Sequence, residues 1–347
     1  MEVIMNVENV CPVCGAVKSD LSLSEYDCDK CGFSNAYVHL FASKQGHDLW
    51  QKKVDAAKKI WDKKKRAEFA AANPLYVGSS LIAFLDAGQK NIYILHGNGM
   101  MQTENNAVGI NANELNVVIT YADGTVKVLG NENTFGQKKA GSWTDMVYAT
   151  MGANCTYGIK RDGSVLYAGV PVSQTMTSWK DVSKMDFGPD YAVGLRKDGT
   201  VVVSGGAPET ISSGTAKWTN VTDVAVSRDS VAGLRQDGTV LYAGADADPK
   251  KDAAKWKKMI AIAADNTFIY GLDEDGKVSV AGSCKRILDK GRSGAASWEK
   301  VIALSANQSG IGAITEDGKL LVAGGITGDL QKIIEKWNSN VEPVVSY

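Results

Sequence analysis

Residues 179–205 read WKDVSKMDFGPDYAVGLRKDGTVVVSG. A tryptophan opens the stretch, Gly194-Leu195 sits in its middle, and Asp198-Gly199 precedes a strand-like run that ends at Gly205. Asp-Gly between two apolar runs is the strongest short-range hairpin signal. The expected connection is a type I′ turn, which needs positive φ at both central residues.

The same pattern recurs down the chain. Asp-Gly pairs stand at 123-124, 162-163, 198-199, 237-238, 275-276 and 317-318, each followed six residues later by Gly130, Gly169, Gly205, Gly244, Gly282 or Gly324. Trp143, Trp179, Trp218, Trp256 and Trp298 each lie 20 residues before the Gly of the next Asp-Gly pair. Between the two come Gly158-Ile159, Gly194-Leu195, Gly233-Leu234, Gly271-Leu272 and Ala313-Ile314, a small residue beside an aliphatic one, as in a strand packed tightly on its neighbour. Length varies only between an Asp-Gly pair and the following Trp, so insertions fall in one class of loop. The repeated Trp reads as packing between units, with an exposed aromatic ring for ligand binding as the alternative.

Strands repeating every 36–42 residues with no helix between them mean small antiparallel sheets stacked by repetition. A degenerate unit precedes the first clear one: Ser80–Leu85, a loop at Asp86-Ala87-Gly88, then Ile92–Gly97, with no Trp and no opening strand of its own. The tail from Trp337 to Tyr347 has the size of the missing part. The expectation is a mainly β fold, a seven-bladed β-propeller over 75–347, closed by a C-terminal strand that pairs near residue 80. The unit W…G-L-x-x-D-G-T-V-x-x-x-G resembles the regulator-of-chromosome-condensation repeat in its leaner bacterial form. The resemblance implies a seven-bladed propeller. It does not extend to the His that family members usually carry before Gly-Leu, nor to the projecting loop by which the eukaryotic founder acts on a small GTPase.

The first 43 residues have a different logic. Cys11-Pro-Val-Cys14 and Cys28-Asp-Lys-Cys31 give two C-x2-C pairs, with Gly15 and Gly32 just behind them to permit tight turns. Four thiolates at tetrahedral corners suit a closed, structural Zn2+ site in a zinc ribbon over 1–43, whose metal supplies much of the folding free energy. Iron in a rubredoxin-like site and redox disulfides are the alternatives. Residues 44–74 contain a Gly- and Pro-free helix from Asp48 to Asn73, with Trp50, Val54, Ala57 and Trp61 as one apolar stripe. The stripe is expected to pack on the propeller or on a second copy. Nine basic residues lie between Lys44 and Arg66, and the run Lys63, Lys64, Lys65, Arg66 is the candidate phosphate contact.

Composition narrows the rest. A net charge of −1 gives no whole-molecule attraction to nucleic acid or membrane. No run approaches the roughly 18 apolar residues of a membrane span, and the first residues lack the form of a signal peptide. Clustered cysteines without a disulfide framework suit a reducing compartment, so the protein is expected in the cytoplasm. His39, His47 and His96 fall in no triad or metal spacing, and the Gly-rich pieces lack a strand–loop–helix context. The leading reading is a non-enzymatic protein-binding module, with the propeller face as recognition surface and the ribbon as second contact or tether. The alternatives are nucleic-acid binding through the ribbon and Lys63–Arg66, and an enzyme with its site in the central channel.

Overall fold

The computed structural model of the 347-residue chain describes residues 11–16, 28, 30–33, 44–72, 74–85, 91–113, 115–130, 132–284 and 289–340. The chain divides into two compact units, residues 1–68 and 69–346. Helix α1 (Lys44–Ala71) begins in the first and ends in the second.

The second unit consists of seven antiparallel sheets in chain order. Blade one has four strands: β1 (Leu75–Val77), β2 (Leu81–Leu85), β3 (Ile92–His96) and β4 (Met101–Glu104). The other six have three each, exemplified by blade four: inner β11 (Val182–Phe187), middle β12 (Tyr191–Arg196) and outer β13 (Val201–Gly205). Middle strands are buried along both faces, as expected of a sheet sandwiched between two others.

The Asp-Gly turn differs from the expected type I′ form. In each pair only the Gly has positive φ, 77–84°. Gly124 N–H donates to Tyr121 O at 3.0 Å and Tyr121 N–H to Thr125 O at 3.0 Å. That is a type I turn followed by a glycine bulge, a three-residue loop. At Asp123, Asp162, Asp198 and Asp237 the carboxylate completes it by accepting from the backbone N–H and hydroxyl two residues on, at 2.9 and 2.7 Å for Asp123 with Thr125.

The turn glycine is also where one blade touches the next. Its carbonyl accepts from the first residue of the following inner strand: Met146, Val182, Val221, Met259 and Val301 bond to Gly124, Gly163, Gly199, Gly238 and Gly276 at 2.9–3.1 Å. After the outer strands of blades two to six the chain crosses to the next blade through a short helical segment, such as the 3-10 turn Gln174–Ser178 or α2 (Glu209–Thr215). These crossovers are the segments of variable length. Four of the five deliver their Trp onto the glycine of the next middle strand. A Cβ at Gly158, Gly194, Gly233 or Gly271 would lie 2.6–2.7 Å from the indole, so no larger residue fits there. Each of the five Trp side chains packs in a core cluster shared by two successive blades, which makes packing the role of the series.

Two expectations need correction. The degenerate first unit does have an opening strand, the three-residue β1. The closing strand expected from Trp337 onward is helix α3 (Gly328–Asn340) as far as the described residues reach. Residues 341–347 and the loop at Asp86-Ala87-Gly88 lie outside them. Blade seven, with inner β20 (Val301–Asn307) and outer β22 (Leu320–Gly324), packs directly on blade one. Leu75, Val77, Ile82 and Phe84 share one cluster with Ile302, Ala303, Ile314 and Leu320, and with Leu330 and Ile334 of α3. Thr327 N–H donates to Ser79 O at 2.8 Å.

Candidate functional site

The first unit is built on its cysteines. Gly15 N–H donates to Cys11 O (2.9 Å) and Gly32 N–H to Cys28 O (2.6 Å), with φ of 67° and 70° at the two glycines, so both C-x2-C segments turn back as knuckles. The four sulfurs lie within 4.8 Å of one another, with Cys11–Cys31 at 3.6 Å and Cys14–Cys28 at 3.5 Å. Bonds of about 2.3 Å to a tetrahedral metal require sulfurs about 3.8 Å apart. All four thiols are free. Burial and the neighbouring sulfurs push Cys31 up to about 12 without a cation, whereas backbone N–H groups hold Cys28 down to about 7 against its own burial. A set of four thiolates this close is therefore one that calls for a metal ion.

The described part of the apolar stripe of α1 packs on the cysteine knuckles, a surface that had not been expected. Val54, Ala57 and Trp61 join Cys11, Val13, Cys14, Cys28 and Phe33 in one cluster, so the helix gives the knuckles the core they lack. The basic run is partly engaged in its own helix. Lys65 pairs with Glu68 at 2.5 Å and lies 4.7 Å from the centre of the Trp61 ring, Lys64 stands 5.6 Å from the same ring, and Arg66 is buried. Lys52, Lys58 and Lys59 are the exposed lysines elsewhere on the described part of α1.

In the second unit the third residue of successive inner strands is Gly109, Tyr148, Lys184, Asp223, Ala261 and Ala303, equivalent positions from blade to blade. In blades six and seven the position is alanine, and Ala261 shares a buried core cluster with Ala70 and Ala263. In blades four and five it is charged. Lys184 pairs with Asp223 of the next blade. Asp186, two residues along β11, accepts from Val226 N–H at 2.7 Å and Phe187 N–H at 2.8 Å, and burial pushes its carboxyl up to about 6. The Asp223 carboxylate raises Lys184 against its own desolvation. A cavity of about 290 Å³ opens beside this cluster. Sequence reading did not single out these residues, because they occupy a strand position whose chemistry changes from blade to blade. The only sequence signal is a row of unlike residues at a fixed offset after each Trp.

No protein-family model matches the chain, and no curated protein matches it in sequence. Solved structures match its fold. The CRINKLY WD40 ectodomain of the Arabidopsis thaliana receptor kinase ACR4 is similar over 74% of this chain and 96% of its own, at 13% identity and a TM-score of 0.56. Yeast RCC1 (Prp20), in its crystal structure with Kap60, is similar over 76% of this chain and 82% of its own, at 13% identity and a TM-score of 0.50. The chain thus has the fold of an RCC1-like β-propeller.

Proposed function

We propose that this protein is a non-enzymatic protein-binding module of the cytoplasm, in which the propeller carries the recognition surface and a zinc-held ribbon serves as second contact or tether. One observation carries the reading. Among the described residues of the propeller, the large apolar side chains exposed to solvent are Met100, Met101, Val108, Leu115, Phe135, Val147 and Val170. All belong to blades one to three and the crossovers that leave them. Exposed apolar side chains gathered in three successive blades are a feature expected of a contact surface. Yeast RCC1, similar in fold, was solved bound to a protein, Kap60, which accords with this use of the scaffold. Zn2+ is the ion assigned to Cys11, Cys14, Cys28 and Cys31, since four thiolates leave it no open position and so confine it to a structural role.

The test is affinity capture from the native host with the full chain, beside a variant carrying Leu115→Asp, Phe135→Asp and Val170→Asp. The expected result is a protein retained by the wild type and lost by the variant. Equal retention by both, or capture of nothing by either, overturns the reading. The nucleic-acid alternative now rests on Lys52, Lys58 and Lys59 more than on Lys63–Arg66. A salt-sensitive titration with duplex DNA and with RNA, lost on changing those three to Ala, would establish it.

A further inference from the structure

The two residues ahead of each Asp-Gly pair divide the ring by charge. Blades three, four and five read KRDG (160–163), RKDG (196–199) and RQDG (235–238), five basic residues against three acidic ones. Blades two, six and seven read YADG (121–124), DEDG (273–276) and TEDG (315–318), six acidic residues and no basic one. Neighbouring basic turns are joined through a shared segment. Asp181 O accepts from Lys197 N–H at 2.8 Å while the adjacent Val182 N–H donates to Gly163 O at 3.1 Å, and Asn220 and Val221 repeat this between blades four and five. Lys197 Nζ also donates to Arg161 O at 3.1 Å. The basic turns therefore form one continuous sector, with acidic turns on either side of it.

The first residue of each four closes its middle strand, and its bonding differs between the two sets. Tyr121 donates its hydroxyl hydrogen to Glu104 at 3.0 Å. Asp273 accepts from the N–H groups of Asp275 and Lys277, at 2.9 Å each, and the Thr315 hydroxyl donates to Asp317. Those three are satisfied locally. Lys160, Arg196 and Arg235 hold the same strand position and are half-buried. Among the described residues their side chains have no hydrogen-bond or ion-pair partner, and Arg235 Nε is buried without an acceptor. The neighbouring turn carboxylates are committed elsewhere: Oδ1 of Asp162, Asp198 and Asp237 accepts both hydrogen bonds of its own turn. A half-buried cation keeps its desolvation cost when no anion offsets it. Three such cations at one position on successive blades make a row that an outside anion completes.

Protein carboxylates fit the row better than the phosphates of a nucleic acid. The acidic turns of blades two and six would repel a polyanion running past either end of the sector. A protein surface can set an acidic patch on blades three to five and basic or neutral residues against the flanks, which also fixes its orientation. The two arginines offer such carboxylates a planar fork of donors.

We infer that Lys160, Arg196 and Arg235 form a docking row for an acidic patch of the partner protein. This deepens the protein-binding reading and rests on it for the nature of the partner. The preference of the row for carboxylates is tested without that partner.

The probe is a fluorescein-labelled octaglutamate peptide, titrated into the full chain at low and at moderate salt and followed by anisotropy, with labelled duplex DNA alongside. Saturable binding of octaglutamate that weakens with salt is expected. Lys160→Gln, Arg196→Gln and Arg235→Gln together should lower its affinity about tenfold or more. Lys251→Gln, Lys255→Gln and Lys332→Gln remove the same charge from exposed lysines that pair close by in sequence, and should change it less than about twofold. Because the row has no partner within the chain, its triple variant should melt at or above the wild-type temperature. No salt-sensitive octaglutamate binding, equal affinity of row variant and wild type, or an equal loss in the control variant overturns the inference. So does a larger loss for duplex DNA than for octaglutamate in the row variant, or a melting temperature well below wild type. A native partner retained by the row variant but lost with Leu115→Asp, Phe135→Asp and Val170→Asp would remove the row and leave the protein-binding reading standing.

Discussion

Gly163 does three things at once. It takes φ of 81° to close the Asp162-Gly163 turn, offers its carbonyl to Val182 N–H of the next blade, and leaves room for Asp181, whose Cα would lie 2.6 Å from a Cβ at this position. Left-handed backbone and overpacking both oppose a side chain there, so Gly163→Ala should cost about 2–4 kcal/mol, read from urea unfolding of the propeller. Asp186 offers a pH test. Its folded pKa, about 6, lies above the usual carboxylate value because burial disfavours the charge, with Lys184 lowering and Asp223 raising it. The folded state then holds the proton more tightly than the unfolded state. Its contribution to stability is complete below about pH 4 and is lost as pH rises through 6. The unfolding free energy of wild type relative to Asp186→Asn should therefore decline across that window and level off above it. A flat difference would show that Asp186 keeps an ordinary pKa.

At the scale of elements, α3 does what a closing strand was expected to do. At five seams the turn carbonyl accepts from a backbone N–H of the next inner strand, but β1 starts too late to supply one to blade seven. Trp337 Nε1–H donates to Gly318 O instead, at 3.2 Å, while its ring packs 4.9 Å from Phe84 and 5.2 Å from Tyr93. Asn338 caps the free edge of β22, its side chain accepting from Leu320 N–H (2.8 Å) and donating to Leu320 O (2.9 Å). A helix thus repeats with side chains what a strand would do with backbone. Trp337→Phe keeps most of the ring and strands the Gly318 carbonyl, for an expected loss of about 1–2 kcal/mol. Leu330→Ala, at a fully buried seam residue, should cost about 2–4 kcal/mol, whereas Lys332→Ala on the exposed face should cost less than about 0.5. Equal effects from the two would mean that α3 does not hold the seam.

For the whole molecule, the division at residue 68 separates two sources of stability. The propeller rests on seven buried sheets. Among its described residues the first unit has one small cluster, the one around its cysteines, so a metal bound there would supply much of its folding free energy. Calorimetry should show two transitions. A zinc chelator should abolish the one belonging to residues 1–68 and leave the propeller transition within a few degrees. A single transition lost as a whole on chelation would mean that the propeller too depends on the ion.

The repeat was legible in the sequence because each of its residues answers a local demand. The turn glycine needs positive φ, the carboxylate completes its own turn, and the middle-strand glycine makes room for an indole at a fixed distance along the chain. The cluster of four cysteines could be read for the same reason, since two short spacings define it. Spacing cannot say which surface an apolar stripe will cover, and the stripe of α1 settled on the knuckles. The closing helix, the Lys184–Asp223 pair and the gap at Gly109 arise where residues far apart in sequence meet around a ring, and only the assembled blades decide what stands opposite what.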